Sequence, residues 1–268
     1  MRSRAGKAAL AALLLALASS AAADELYRAY ANVTGQREET RRPAMPLAFR
    51  DVVVRVSGDP RLLDRPDLDR LYSDDLVAHY SYRDLMAHLP KRDEQGTRDR
   101  PHELTVDFVP QKIDAALAKL GARPWTAQRP KIAVFLSVEL GPTRFVLADE
   151  GEPGGIQRTA LLAAFRKYGL PVAVPPRAAL DAAGITVDAL KDPDLARLDA
   201  EARKLGADRA LAASLVFSEA ELGWIAHWRL ADSGATRRWS IRGEKFDEAF
   251  RHAVRGTLQI VSGNGAPR

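Results

Sequence analysis

Residues 131–138 constrain the fold more than any other segment of this 268-residue chain. Their sequence, KIAVFLSV, is apolar at successive positions, so a strand formed by them is apolar on both faces. Strands of that kind occupy the interior of a sheet that has helices packed on both sides. We therefore expect a central strand in which Leu136 points to one side and Phe135 to the other.

The elements around this strand predict a C-terminal α/β lobe over residues 126–262. The predicted strands are 131–138, 171–174, 209–217, 223–231 and 237–243. The predicted helices are 156–168, a second helix that is capped by Asp192 and begins at Pro193, and 246–261. The order β-α-β-α-β-β-β-α combines alternation with a meander, which predicts a mixed sheet with helices packed on it. Residues 263–268 are expected to form a flexible tail.

Residues 24–125 predict a second, N-terminal α/β lobe, so the fold class is α/β with an α+β mixed sheet. The expected elements are a strand over 26–33, helices over 44–56 and 67–80, a strand over 104–108, and a helix from Pro110 to Gly121. Three consecutive valines at 52–54 favour a strand instead, but the helical spacing of residues 44–56 holds over three turns. The proline-rich stretch 121–130 is the expected boundary.

Residues 1–23 have the three parts of a secretory signal peptide. A basic start comes from Arg2, Arg4 and Lys7, an apolar run from residues 8–18, and a cleavage site from the alanines at 21–23. The apolar run is shorter than the roughly 20 residues that a spanning helix needs, although an uncleaved anchor is the alternative. The chain has no cysteine that could accept a lipid. We expect a soluble exported protein, periplasmic or secreted, that begins near Asp24 and has no stable membrane anchor.

The composition of the chain argues against several classes of partner and of reactive site. The formal net charge of +5 falls to about +2 without the three bases of the leader, and no long basic block remains, so we expect no nucleic-acid partner. Without cysteine there is no thiol nucleophile, no cysteine zinc site and no disulfide. The five histidines are scattered and the chain has no G-x-S-x-G motif, so we expect no metal, no cofactor and no hydrolase site.

Two features are candidate binding sites. The loop 149–155, DEGEPGG, precedes a predicted helix whose backbone amides could hold an anion, although a mobile loop is the favoured interpretation. Trp224, Trp228 and Trp239 lie in one predicted hairpin. They are candidates for an aromatic platform that binds a glycan or a protein, and packing in the core is the favoured alternative.

Several short segments resemble a known family. They are VVVRVSGDP at 52–60, LTVDFVPQKIDAALAKLG at 104–121, and Trp125 followed by Arg129 and Pro130. Together they resemble, over roughly residues 24–250, the bacterial exported proteins of domain of unknown function 2066. That family has no assigned activity, so it implies no site residues.

The C-terminal half, with ARKLGADRALAASLVFSE at 202–219, resembles another group by topology. It is similar to the N-terminal α/β domain of the Tol-system β-propeller protein and to the curli-secretion and penicillin-binding-protein-activator lipoproteins. This likeness of fold implies a protein that binds other envelope proteins rather than an enzyme. We therefore expect a non-catalytic binding or adaptor module of the bacterial cell envelope. The alternatives are a periplasmic small-ligand receptor and an enzyme with a site between the two lobes.

Overall fold

The computed structural model describes residues 25–89 and 99–267. They divide into two compact units: unit 1 holds the residues up to Ser57 and Arg61–Pro124, and unit 2 holds Gly58–Pro60 and the residues from Trp125 on. Both units combine helices with a sheet, so the predicted mixed α/β class is confirmed. The predicted signal peptide, residues 1–23, lies outside the described residues.

Unit 1 contains a three-stranded antiparallel sheet. Its strands are β1 (Arg28–Thr34), β2 (Val77–Asp84) and β3 (Pro101–Phe108), in the order β1-β3-β2. The helices are α1 (Glu38–Arg41), α2 (Ala44–Ser57) and α3 (Pro110–Lys119). Because β3 is the middle strand, β1 and β2 are the edges of this sheet.

Helix α2 confirms the prediction of a helix over 44–56. The buried side chains of Phe49, Val52, Val53 and Val56 form its core face, and the neighbouring Val54 is buried as well. Burial of all three valines outweighs the preference of β-branched residues for strands. Gly58 follows the helix with φ +69°, the left-handed conformation that commonly ends a helix.

The predicted helix over 67–80 is wrong. The chain forms three short 3₁₀ turns, Pro60–Asp64, Leu68–Leu71 and Asp74–Leu76, and then enters β2 at Val77. Aspartates disfavour a helix interior because their side chains can bond nearby backbone groups, and this segment carries aspartates at 67, 69, 74 and 75. Beyond these turns, pairing with β3 gives residues 77–84 a strand partner that no local pattern reveals.

Unit 2 contains a six-stranded mixed sheet. Its strands are β4 (Ile132–Leu140), β5 (Thr143–Val146), β6 (Val172–Ala173), β7 (Arg209–Ser218), β8 (Gly223–Asp232) and β9 (Ala235–Glu244). The order is β5-β4-β7-β8-β9, with β6 paired to β4; β4 runs parallel to β6 and β7, and the other pairs are antiparallel. Residues 132–138 are all buried, which confirms the interior strand predicted at 131–138.

The helices of unit 2 are α4 (Gly155–Lys167), α5 (Arg177–Ala182), α6 (Leu195–Lys204) and α7 (Phe246–Val261). The sequence prediction missed α5 and β5, which are only a few residues long. It also began α6 too early, because Asp194 rather than Asp192 caps the helix by accepting the Arg197 amide at 3.1 Å. Helix α7 has the predicted bounds.

Helices cover the two faces of this sheet unequally. Helices α4 and α7 pack side by side, and α7 contacts β8 and β9 on one face. On the other face, Ala133 and Phe135 of β4 share a core cluster with Leu180 of α5 and Leu198 of α6. Beyond that cluster, β8 and β9 expose His227, Arg238 and other polar side chains. Across the described ranges, none of the helices combines the length and the apolar character that crossing a bilayer requires.

Candidate functional site

The three candidate tryptophans lie in the core of unit 2. Trp228 is fully buried, and only 8 % of Trp224 and 5 % of Trp239 is exposed. The ring of Trp224 lies 6.1 Å from that of Phe246 on α7, and that of Trp228 lies 6.4 Å from that of Phe250. Rings buried under a helix cannot stack on a partner in this conformation. The structure therefore corrects the platform hypothesis in favour of core packing.

The glycine-rich loop before α4 uses its own carboxylate. The backbone amides of Gly154 and Gly155 both donate to one carboxylate oxygen of Glu152, at 2.9 and 3.3 Å. These are two of the amides that an external anion would meet at this helix terminus. The loop therefore already places a carboxylate of its own there.

A groove of about 960 Å³ opens on unit 1. Met45 of α2, Tyr72, Val77 and Tyr80 contribute its apolar and aromatic surface. Its charged lining comes from Glu38, Arg41, Arg42 and Asp74, together with His79. Concave surfaces that combine apolar walls with a few polar groups are typical of ligand-binding sites.

The groove lies where the hydrophobic core of unit 1 reaches the surface. In the register of the sheet, Tyr80 lies opposite Val106 and Tyr82 lies opposite Leu104. Residues opposite each other point to the same face, and both residues of β3 are completely buried. Tyr80 shares this core face but stands on the edge strand, where 38 % of it remains exposed. The groove thus continues the hydrophobic core to the surface.

Arg41 fixes a positive charge on this aromatic surface. Its guanidinium carbon lies 4.5 Å from the centroid of the Tyr80 ring, a cation–π distance. It also donates to the Tyr82 hydroxyl at 3.3 Å, and that hydrogen bond raises the pKa of Arg41. The aromatic contacts extend beyond Tyr80, because the ring of Tyr82 packs edge-on against the rings of Tyr80 and His102, with centroids 6.0 and 6.2 Å apart.

Tyr72 connects the groove to the core and remains a neutral hydroxyl. Its ring lies 5.9 Å from that of Phe49. Burial and the hydrogen bond to Asp74 raise the pKa of Tyr72 above its usual value. Ser73 donates its hydroxyl proton to Asp75. The hydroxyls of Tyr72 and Ser73 at this end of the groove therefore both donate to neighbouring carboxylates.

Residues 78–81 of β2 present an uncharged edge beside the groove. Residues 78–81, with the sequence AHYS, are all exposed. Natural sheets blunt exposed edges with charged residues or proline, and β9 of unit 2 carries Arg237, Arg238 and Arg242. Residues 78–81 contain no Lys, Arg, Asp, Glu or Pro, although the register of β2 shifts between Val77 and His79. The edge and the groove together form a surface suited to an extended chain.

The sequence interpretation missed this site because it assigned residues 67–80 to a helix. The segment VAHYSY at 77–82 carries a usable signal, since Tyr80 and Tyr82 are spaced two apart, as residues on one face of a strand are. The histidines do not assemble a metal centre: within residues 25–89 and 99–267, no three His, Asp or Glu side chains are grouped as metal ligands. The expectation of no metal or cofactor stays a prediction.

Comparisons with known proteins bear on unit 1. A family model described as Domain of unknown function (DUF8605) matches residues 20–126, which include α1, α2, β2 and the whole groove. Searches of curated proteins and of solved structures give no match. The expected resemblances to domain of unknown function 2066 and to the Tol and penicillin-binding-protein-activator proteins stay predictions. Over residues 20–126 the chain is similar to a domain whose function is not assigned.

Proposed function

We propose that the protein is a non-catalytic binding module of the bacterial cell envelope. In this proposal, unit 1 receives an extended segment of another envelope protein along β2, beside the groove. The observation that carries the proposal is the uncharged, exposed edge of β2 next to an aromatic groove.

Strand addition explains why edge and groove occur together. An extended peptide that pairs with a sheet edge gains affinity from backbone hydrogen bonds and specificity from pockets for alternate side chains. Residues 78–81 offer the edge, and Tyr80 with Tyr72 and Met45 offers a pocket. An apolar or aromatic side chain of the partner would bury surface there, while Arg41 keeps the Tyr80 ring in place.

A small-ligand receptor is the second candidate. It is favoured by the volume of the groove, about 960 Å³, which falls within the range of roughly 300–1,000 Å³ typical of small-molecule sites. Native mass spectrometry of the protein purified from its own envelope distinguishes the candidates. A bound small molecule that is lost in Tyr80→Ala supports the receptor.

Site-specific photocrosslinking tests the strand-addition proposal. We place benzoylphenylalanine at Ala78 and, as a matched control, at Thr143, which is an exposed residue of the short edge strand β5. We expect one prominent protein adduct from Ala78 and none from Thr143. Ala78→Lys adds a charge to the edge, so it should weaken co-purification of that partner, while Thr143→Lys should not. Equal adducts from both positions, or none from either, contradict the proposal.

Export is the other part of the proposal. We propose that the protein is periplasmic or secreted, on the strength of the basic start, the short apolar run and the alanines before Asp24. N-terminal sequencing of the protein from cell fractions tests this directly. We expect a soluble protein that begins at or near Asp24, and intact Met1 in the membrane fraction contradicts the proposal.

A further inference from the structure

The uncovered part of the unit 2 sheet concentrates positive charge and hydroxyls. Two rows of side chains cross β7, β8 and β9 on this face. The residues opposite one another are Ala212, Arg229 and Arg238 in one row, and Ser214, His227 and Ser240 in the next. His227, Arg238 and Ser240 are exposed, and Arg229 and Ser214 are half-buried.

Arg229 and Arg238 form an unusual pair, because two positive charges lie directly opposite each other on β8 and β9. Like charges directly opposite each other on a sheet repel, and their Cβ atoms are typically about 5 Å apart. Among the described residues, Arg229 has one carboxylate partner, Asp192, at 3.4 Å, and the Asp192 side chain is 98 % exposed. An ion pair in such a setting contributes little. Within the part of the chain that the structure describes, Arg238 has no ion pair.

A small cavity adjoins Arg229. It has a volume of about 300 Å³ and is lined by Ser214, His227 and Arg229, together with Lys191 and Glu139. The Glu139 carboxylate accepts from Arg144 at 2.7 Å, and Lys191 pairs with Asp188 at 2.9 Å. Each of these charges thus has a partner of opposite sign, as Arg229 has in Asp192. Arg238, which lies opposite Arg229 on β9, has no ion pair among the described residues.

We propose that this face binds the phosphate group of a small phosphorylated ligand. The phosphate lies between Arg229 and Arg238, where two guanidinium groups meet its oxygens with charge-assisted hydrogen bonds. Ser214 and His227 supply further polar contacts, and the remainder of the ligand occupies the cavity. The small volume favours a compact molecule over a nucleic acid or an acidic protein segment. This site is independent of the groove in unit 1.

Thermal unfolding with defined anions tests the site. The probes are inorganic phosphate and glycerol phosphate, compared with acetate at equal ionic strength, because ligands that bind only the folded state raise the Tm. We expect both phosphates to raise the Tm in the millimolar range and acetate to have no effect. Equal effects of phosphate and acetate, or no effect of phosphate, overturn the proposal.

Variants locate the binding and control for folding. Arg238→Gln removes an exposed arginine without an ion pair among the described residues, so the fold should persist and phosphate affinity should fall at least tenfold. Arg242→Gln is the matched control, since Arg242 is also exposed on β9 but is bonded to Glu221 at 2.7 Å. It should leave phosphate binding unchanged. Equal losses in both variants, or stronger binding to vesicles of phosphatidylglycerol or to an oligonucleotide than to glycerol phosphate, contradict the proposal.

Discussion

Gly256 in the middle of α7 allows the Trp239 indole to pack directly against the helix. A Cβ atom added at Gly256 would lie 2.6 Å from Cε2 and 3.0 Å from Cδ1 of Trp239, and closer still to its Nε1. Real Cβ atoms do not approach neighbours so closely. Because Trp239 is only 5 % exposed, its ring has little room to retreat, and Gly256→Ala must displace either the ring or the helix.

Two opposing terms set the size of the effect. Alanine is favoured over glycine in a helix interior by about 1 kcal/mol. Overpacking a core by one methyl group typically costs about 1–3 kcal/mol. We expect the overpacking to exceed the gain in helix propensity, so Gly256→Ala should lower the free energy of unfolding by about 1 kcal/mol.

Urea denaturation of a double-mutant cycle with Trp239→Ala measures this effect. The three atoms nearest to the added Cβ all belong to the indole ring, which alanine lacks. In the Trp239→Ala background, Gly256→Ala should therefore be neutral or stabilising, with a coupling of about 1–2 kcal/mol between the two sites. If Gly256→Ala stabilises the protein equally in both backgrounds, the close contact of Trp239 with α7 does not exist.

Three further predictions concern stability. Leu136→Ala should lower the free energy of unfolding in urea by roughly 2–5 kcal/mol, because Leu136 is fully buried in β4; a loss below about 1 kcal/mol contradicts its burial. Partial burial raises the pKa of Glu25, but the hydrogen bond from Tyr30 and the charge of Arg55 outweigh it and hold the pKa below its usual 4.5. The stabilisation by ionised Glu25 is therefore complete at neutral pH and is lost as the pH falls through its lowered pKa. Glu25→Gln should cost about 0.5 kcal/mol at pH 7, after solvent screening of this 42 % exposed side chain, and progressively less as the pH is lowered below 4.5. Burial lowers the pKa of His252 below 6.5, so unfolding monitored by circular dichroism should become easier as the pH falls below about 6.5, and His252→Gln should remove that component.

The sequence predicts the elements whose burial follows their own periodicity. Helix α7 has the bounds expected from its apolar stripe, and α2 forms where helical spacing competed with three valines. The interior position of β4 follows from its apolar faces. In each case the residues that define the element also define its contacts, so local pattern and tertiary structure agree.

The sequence carries a signal for the strand that holds Tyr80, but not for the groove as a whole, because partners distant in sequence create the groove. Tyr80 becomes a groove residue only because β2 pairs with β3, and because Arg41, far away in the chain, lies over its ring. Residues 67–80 contain enough leucines to imitate a helix. The tryptophan hairpin is difficult to predict for a different reason, because composition alone does not distinguish a buried aromatic cluster from an exposed one. The tryptophans are buried because α7 packs against them.

The parallel pairing of β4 with β7 has a consequence for the order in which the chain can fold. Ile132 pairs with Arg209, so β4 is synthesised well before its longest partner, whereas β7, β8, β9 and α7 follow one another closely. Contacts between distant segments form slowly. Until β7 is available to pair with it, the apolar segment of β4 is exposed and prone to aggregation. Lys131 and Glu139 place a charge at each end of that segment. Charged residues in these positions oppose pairing of β4 with other chains before it pairs with β7.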